Sequence, residues 1–391
     1  MKKSVIGVTT LALLAMGLSA CGANPAGGPA PGAAAPGSGD EIMLGATLCL
    51  TGIQAGLDEP VLRGAQLAVD EINANGGVLG KKLKLVNLDG KSDPVVVGNN
   101  AEQLISQGAA AIISPADFDF GGPASRAAQA AGLVGISPGA SSPLYGAATL
   151  GDKQFTLSMW NTTMGAAAAE YAFKERGLKN AYVVTDSFID YTTSLSEYFI
   201  ASMEHQGGTI VGKDTYTQGD QNFSAQLQRL KATGGAADVI FVSSYMPDLG
   251  LIIRDIRAAG ITTPIYGGDS YDDVELGKVL GSEFGNDVVY ATHSFLSEDA
   301  NPLMPAFLAQ YKKAHGGDAP DTAFVANGYD TVMVLAKAME AAGSTDGAAV
   351  AAQMTSMKFD LLTGHLTWSA ENGNEPQKEA AMVVLEKGVP K

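Results

Sequence analysis

Short apolar runs alternate with amphipathic stretches along most of this chain, and the clearest unit runs over residues 239–269. It opens on the apolar run Val239-Ile240-Phe241-Val242, passes through a helical stretch, and closes on a second strand-like run at 264–266. Within the stretch, Leu249, Ile252, Ile253 and Ile256 fall on one helical face, while Arg254, Asp255 and Arg257 fall off it. Pro247 suits the first helical turn, where its missing N–H costs nothing, and Gly260 suits a left-handed C-terminal cap. A strand, a crossover helix and a strand make a right-handed parallel unit. Open parallel sheets bind ligands beyond the carboxyl ends of their strands. Tyr245 and Asp269 stand just past the two strand ends and would face one crevice. The competing reading is a core tyrosine and a helix-capping aspartate.

The same alternation predicts strands at 42–50, 82–89, 110–114, 133–137, 181–185, 209–216 and 288–291. It predicts helices at 60–74, 94–107, 122–131, 192–206, 223–232, 302–314, 321–342 and 345–355. The class is therefore α/β with mostly parallel sheets. Two βα blocks are expected, one ending near Thr156 and one over 165–285. The joining segment Leu157-Ser158-Met159-Trp160-Asn161 lacks glycine and proline, which suits a strand crossing between lobes.

The beginning of the chain breaks the pattern. Lys2 and Lys3 precede an apolar run over 5–14, too short to span a bilayer and of the length of a secretory signal. Leu18-Ser19-Ala20-Cys21 resembles a lipobox, which implies cleavage of residues 1–20 and a lipid anchor on the Cys21 sulfur. Two or more acyl chains make such anchoring stable where one does not. Residues 21–40 are almost wholly Gly, Ala and Pro and are expected to form a disordered tether reaching about 25 Å. The remaining 391 − 20 = 371 residues suffice for two domains with substantial cores. Their net charge is −16 − 2 = −18, because the leader carries two lysines and no acid. So acidic a surface repels nucleic acid and anionic lipid. With Cys21 lipidated, Cys49 is left inside an apolar run as core packing, and no disulfide is expected.

Catalytic motifs are sparse. Gly135-Ile136-Ser137-Pro138-Gly139 matches a nucleophile elbow, but Pro138 lacks the backbone N–H that would serve the oxyanion. A serine hydrolase is thus only a remote alternative. His205, His293, His315 and His365 are scattered without metal-ligand spacing and read as surface or structural residues. No phosphate-cradling P-loop is present, and no cofactor is expected. Asp117-Phe118-Asp119-Phe120 follows a buried strand and reads either as a solvated loop with half-buried rings or as a loop lining a ligand.

Taken together, 70–80 (DEINANGGVLG), Ser137-Pro138-Gly139-Ala140-Ser141, Ile256-Arg257-Ala258-Ala259-Gly260, Tyr245 and Gly364-His365-Leu366-Thr367-Trp368 resemble the leucine/isoleucine/valine-binding protein family, from about Ile42 to the C-terminus. Members are bilobed solute-binding subunits of amino-acid ABC importers. The resemblance implies two Rossmann-like lobes joined by three crossover strands, a type I periplasmic binding fold. It implies an N-terminal lobe of 42–158 plus 294–360 and a C-terminal lobe of 159–293 plus 361–391.

It also implies a cleft in which Tyr245 and Tyr191 are lining tyrosines and Asp269 pairs with a ligand ammonium. Gly139 and Ser141 would receive an α-carboxylate through backbone and hydroxyl. Phe118, with Asp119 beside it, stands where the family places a carboxylate-binding serine, and Leu57 where it often has an aromatic. Ser92 and Asp117 occupy positions that form a disulfide in some members. A phenyl ring cannot donate to a carboxylate and neighbouring acids repel one, so the ammonium wall is kept and the carboxylate wall weakened. The ligand is left open among amino acids, amines, amides, hydroxylated and aromatic compounds. The expected protein is an extracytoplasmic, lipid-anchored monomer, not an enzyme, whose partners are a small-molecule ligand and ABC permease subunits. A sensory lipoprotein of the same fold is the alternative.

Overall fold

The computed structural model describes residues 40–391. The expected signal (1–20), Cys21 and nearly all of the tether lie outside the described residues. The chain first builds β1 (Glu41–Ala46), α1 (Ala55–Ala74), β2 (Lys82–Asn87), α2 (Pro94–Ser106), β3 (Ala111–Ile113), α3 (Phe118–Ala130), β4 (Val134–Ser137), α4 (Ala147–Leu150) and β5 (Gln154–Thr156). It continues through α5 (Asn161–Glu170), β6 (Asn180–Asp186), α6 (Asp190–His205), β7 (Thr209–Tyr216), α7 (Ser224–Ala232) and β8 (Val239–Ser243). Next come α8 (Asp248–Ala258), β9 (Ile265–Gly267), α9 (Val274–Phe284) and β10 (Val288–Thr292). It then returns for α10 (Met304–Ala314), α11 (Ala323–Ala342), α12 (Gly347–Ser356), β11 (Lys358–Leu361) and β12 (Gly364–Thr367), and ends in β13 (Ala381–Glu386) and β14 (Val389–Pro390).

The strands form two large sheets. The first is all parallel in the order β2-β1-β3-β4-β5. The second runs β7-β6-β8-β9-β10 in the same relative order, and antiparallel β13 and β14 extend it. Each lobe is thus a doubly wound unit with a switch point beside its first strand, β1/β3 and β6/β8, where such folds carry their ligands. Helices cover both faces, so central strands such as Ala111-Ile112-Ile113 and Val239-Ile240-Phe241-Val242 are buried throughout. Three segments cross between the lobes: 157–160, 293–303 and 368–380. Trp368 fixes the last crossing by packing edge-on to Phe155 and Phe359 and donating its indole N–H to the Thr156 carbonyl at 3.0 Å.

The 239–269 unit forms as its pattern predicts. Leu249, Ile252, Ile253 and Ile256 are buried, β8 and β9 pair in parallel, and Gly260 takes the left-handed conformation (φ +79°). Pro247 caps α8 and follows a cis peptide bond.

Other boundaries move for local reasons. β1 ends at Ala46: the Thr47 N–H still bonds the Ile113 carbonyl, but from Leu48 on the backbone N–H groups bond side chains, Leu48 to Asn87, Cys49 to Asp58 and Leu50 to Asp89. Helix α3 starts at Phe118, not at 122, because Asp117 caps it by accepting the N–H of Asp119 and Phe120. The 117–120 segment is therefore a helix start, not a solvated loop. Helices α5 and α9 and strands β5 and β11 to β14 carry no readable period. Helix α5 is alanine-rich without a polar face, α9 is broken at Gly281, and the strands are only two to six residues long. The expected lobe boundary at 360/361 falls inside β11. Cys49 is a buried free thiol, as core packing requires.

Candidate functional site

The residues that follow the parallel strands converge between the lobes. Beyond β1, β3 and β4 lie Gln54, Asp117 and the turn 137–141; beyond β8, β9 and β10 lie Tyr245, Asp269 and His293. Tyr191, in the first turn of α6, stands edge-on to Tyr245 with ring centroids 5.2 Å apart. Its hydroxyl accepts the Ser270 N–H at 3.2 Å and contacts Ser270 Oγ at 3.2 Å. Burial raises the Tyr191 phenol well above its ordinary pKa, and the nearby Asp269 charge adds to the effect. Tyr245 is raised likewise, by burial first and then by the charge of Asp117 in the opposite lobe.

His293 Nε2 lies 2.9 Å from Asp269 Oδ2, and both side chains are buried. Burial lowers the imidazole pKa, so the ring is neutral and donates Nε2–H to the carboxylate. Its Nδ1 is then a buried acceptor without a partner. The ring packs edge-on to Phe324, and a Cβ placed on Gly139 would sit 2.8 Å from both Phe324 and Ala116. A circuit of neighbours thus runs from Asp269 through His293, Phe324, Gly139 and Ala116 to Asp117, and back through Tyr245 and Tyr191.

The first-lobe wall is acidic. Asp58 accepts the N–H of Cys49 and of Ala116, each at 2.8 Å, and burial pushes its pKa up to about 7. Asp117 is pushed up to about 8 by burial, with the neighbouring Asp119 charge adding to it. Gln54 is fully buried and close enough to Tyr245 to hold its phenol down slightly, yet neither carboxamide atom completes a hydrogen bond of full geometry. Ser141 Oγ is likewise buried without a partner.

Of the sequence-derived residues, the structure brings Gly139, Tyr191, Tyr245 and Asp269 into this circuit. It places Ser141 just past Gly139, where the Asn161 N–H bonds its carbonyl at 2.6 Å. Phe118 packs instead on Ala140, Tyr145 and Leu150 under the Arg126 guanidinium. Asp119 ties the lobes together: its Oδ2 accepts the N–H of Asp190, at the start of α6, at 2.9 Å. Ser142 also donates its hydroxyl to the Asp190 carboxylate. A third bond between lobes joins the Ala323 N–H to Asp272 Oδ2 at 3.2 Å. The lobes are closed on one another.

Ser137 is not a free nucleophile. Its buried hydroxyl donates to the Pro115 carbonyl at 2.8 Å and accepts the Ala140 N–H at 2.9 Å. Of the four histidines read as surface or structural, His293 is buried and belongs to the circuit; the rule that selected Tyr245 and Asp269 would have found it directly after β10. Gln54 and the side chain of Asp117 carried no comparable signal, because one follows an irregular loop and the other looks like an ordinary cap.

A family model described as "Periplasmic binding protein" matches residues 41–389. A Leu/Ile/Val-binding protein, BraC3, of Rhizobium johnstonii is 29% identical over 310 residues, covering 79% of this chain and 81% of that protein. The solved leucine-binding protein LivK of Thermotoga maritima is 29% identical with a TM-score of 0.81, covering 90% of this chain and 97% of that one. LivJ of Streptococcus pneumoniae, solved in complex with isoleucine, is 27% identical with a TM-score of 0.82, covering 90% and 98%.

Proposed function

The chain belongs to the periplasmic binding protein family, and on that premise we propose that it is the solute-receiving subunit of an ABC importer, closing on a small amine-bearing ligand between its lobes. The observation that carries this reading is the Asp269 carboxylate, buried beyond β9, oriented by His293 and flanked by Tyr191 and Tyr245. A buried carboxylate needs a partner, and a ligand ammonium supplies one. Relatives named for leucine, isoleucine and valine support an amino-acid-like amine as the ligand class.

In this account the ligand first settles on one lobe, and hinge motion about the three crossing segments then brings the facing wall onto it. Asp119 and Ser142 latch the closed form through Asp190, and the closed form is what permease subunits would read. We assign 40–158 with 294–367 to the first lobe and 159–293 with 381–391 to the second, because β12 pairs with β11 and β13 joins β10. We further assign the Cys21 sulfur as the lipid anchor on the extracytoplasmic side. A Cys21→Ala protein found in the soluble fraction would agree with that assignment; continued membrane retention would refute it.

A thermal-shift screen of amino acids, their amides, simple amines, aromatic acids and polyols tests the reading. A ligand held at about 100 times its Kd adds roughly 2.7 kcal/mol, a readable shift. Stabilisation only by compounds without an amine would overturn it.

A further inference from the structure

Gln54 is the last residue before α1, and its backbone is fully engaged. Its N–H donates to Ser92 Oγ at 3.0 Å, and its carbonyl accepts the N–H groups of Leu57 and Asp58, each at 3.0 Å. The side chain is in the opposite condition. It is completely buried, yet neither Nε2 nor Oε1 has a hydrogen-bond partner among the described residues. The acids of the same wall are better provided: Asp58 accepts two backbone N–H groups, and Asp117 Oδ1 accepts two more. A buried carboxamide without partners costs free energy at both ends, and a methionine of similar length would carry no such cost. Core packing therefore gives no reason for a glutamine here.

The carboxamide stands at the boundary between the lobes. It lies beside the phenol of Tyr245, which the second lobe contributes, and Asp117 faces the same phenol. When the lobes part, water can serve both ends of the carboxamide; when they close, both ends are shut off from solvent. Nε2 can only donate and Oε1 can only accept. Together they suit a carboxylate or hydroxyl oxygen, or the two ends of a primary amide, and gain nothing from an alkyl chain. Ser141 Oγ, also in the first lobe, is likewise buried without a partner and can donate or accept.

We propose that Gln54 is a ligand-binding residue that takes a second polar group of the ligand. The cleft then selects bifunctional amines, which carry a carboxylate, carboxamide or hydroxyl beside the ammonium, over simple alkylamines. This rests on the preceding reading of Asp269 as the ammonium partner and adds the contact made by the other lobe. Because Asp269 and Gln54 follow strands of different sheets, β9 and β1, a ligand that reaches both rewards closure.

Two matched series test it by calorimetry. Leucine, leucinamide and leucinol carry a second polar group that isoamylamine lacks; alanine, alaninamide and alaninol stand in the same relation to ethylamine. The wild-type protein should bind the best bifunctional member at least about tenfold more tightly than its parent amine. Gln54→Met keeps the length of the side chain and removes both polar ends. It should narrow that preference to about threefold or less. Because it removes an unpaired carboxamide, the free variant should melt no lower than the free wild-type protein. Parent amines that bind as tightly as their bifunctional partners, or a preference that survives Gln54→Met, overturn the proposal. So does a lower melting temperature of the free variant, which would mean that the carboxamide serves Tyr245 and the fold. Asp269→Asn separates the two readings. If it weakens every binder while Gln54→Met leaves the preference intact, only this proposal fails. If it weakens none, or if no member of either series binds the wild type, the reading of Asp269 fails and takes this one with it.

Discussion

His293 donates its Nε2–H to Asp269 Oδ2 across 2.9 Å, joining the residues that follow two neighbouring parallel strands, β9 and β10. The bond fixes both the imidazole tautomer and the direction of the carboxylate. Asp269 therefore faces the cleft already oriented, without the ligand having to order it.

Removing the imidazole should cost binding more than folding alone explains. His293→Ala leaves Asp269 buried without its donor, and the loss of such a charge-assisted bond is worth about 1.5–3 kcal/mol. Calorimetry with an amine that stabilises the wild-type protein should show affinity lower by roughly tenfold or more. His293→Gln, which keeps a donor, should recover part of it. Equal affinities in all three proteins would remove His293 from a positioning role.

Asp119 should govern closure. It accepts a backbone N–H across the cleft, so Asp119→Ala removes a bond that exists only when the lobes touch. Small-angle scattering should show a larger radius of gyration for Asp119→Ala than for the wild-type protein without ligand. With saturating ligand the two should coincide. Identical profiles without ligand would show that this contact does not bias the hinge.

Asp117 should make stability depend on pH in a defined direction. Its pKa stands at about 8 in the folded protein, raised mainly by burial and then by Asp119 and Asp58, against about 3.9 in an unfolded chain. The folded state therefore holds the proton more tightly, and this contribution is lost as pH rises through the folded value. Asp117→Asn lacks the titration, so its Tm should gain on the wild-type Tm between pH 5 and pH 8 and keep a constant lead above that. A difference independent of pH would show that Asp117 ionises normally.

The contact between α1 and α11 should tolerate no added carbon. A Cβ on Gly64 would collide with the Val325 carbonyl, and one on Gly328 with the Val61 carbonyl, so the two backbones touch directly. Gly64→Ala and Gly328→Ala should each cost about 1–3 kcal/mol or more in urea denaturation. Wild-type stability in either variant would mean that the helices can separate without loss.

These residues also show how far the sequence could be read. The α8 stripe from Leu249 to Ile256 and the strand ends at Tyr245 and Asp269 were legible because both rest on local periods and on one topological rule. Phe118 was misplaced because its position depends on where α3 begins, which the Asp117 side chain decides. Gln54 was invisible, since only closure of the second lobe brings it beside Tyr245. The bonds from the Cys49 and Ala116 N–H groups to Asp58 join separate stretches, which no single run of sequence encodes.

The central claim, a ligand amine held between the lobes by Asp269, is tested most directly by calorimetric titration of wild-type and Asp269→Asn proteins with the amine that most stabilises the wild-type protein. The account predicts one site per chain in the wild type and affinity lower by about tenfold to a hundredfold in Asp269→Asn, with the variant still folded. Equal affinity in the two proteins would contradict it.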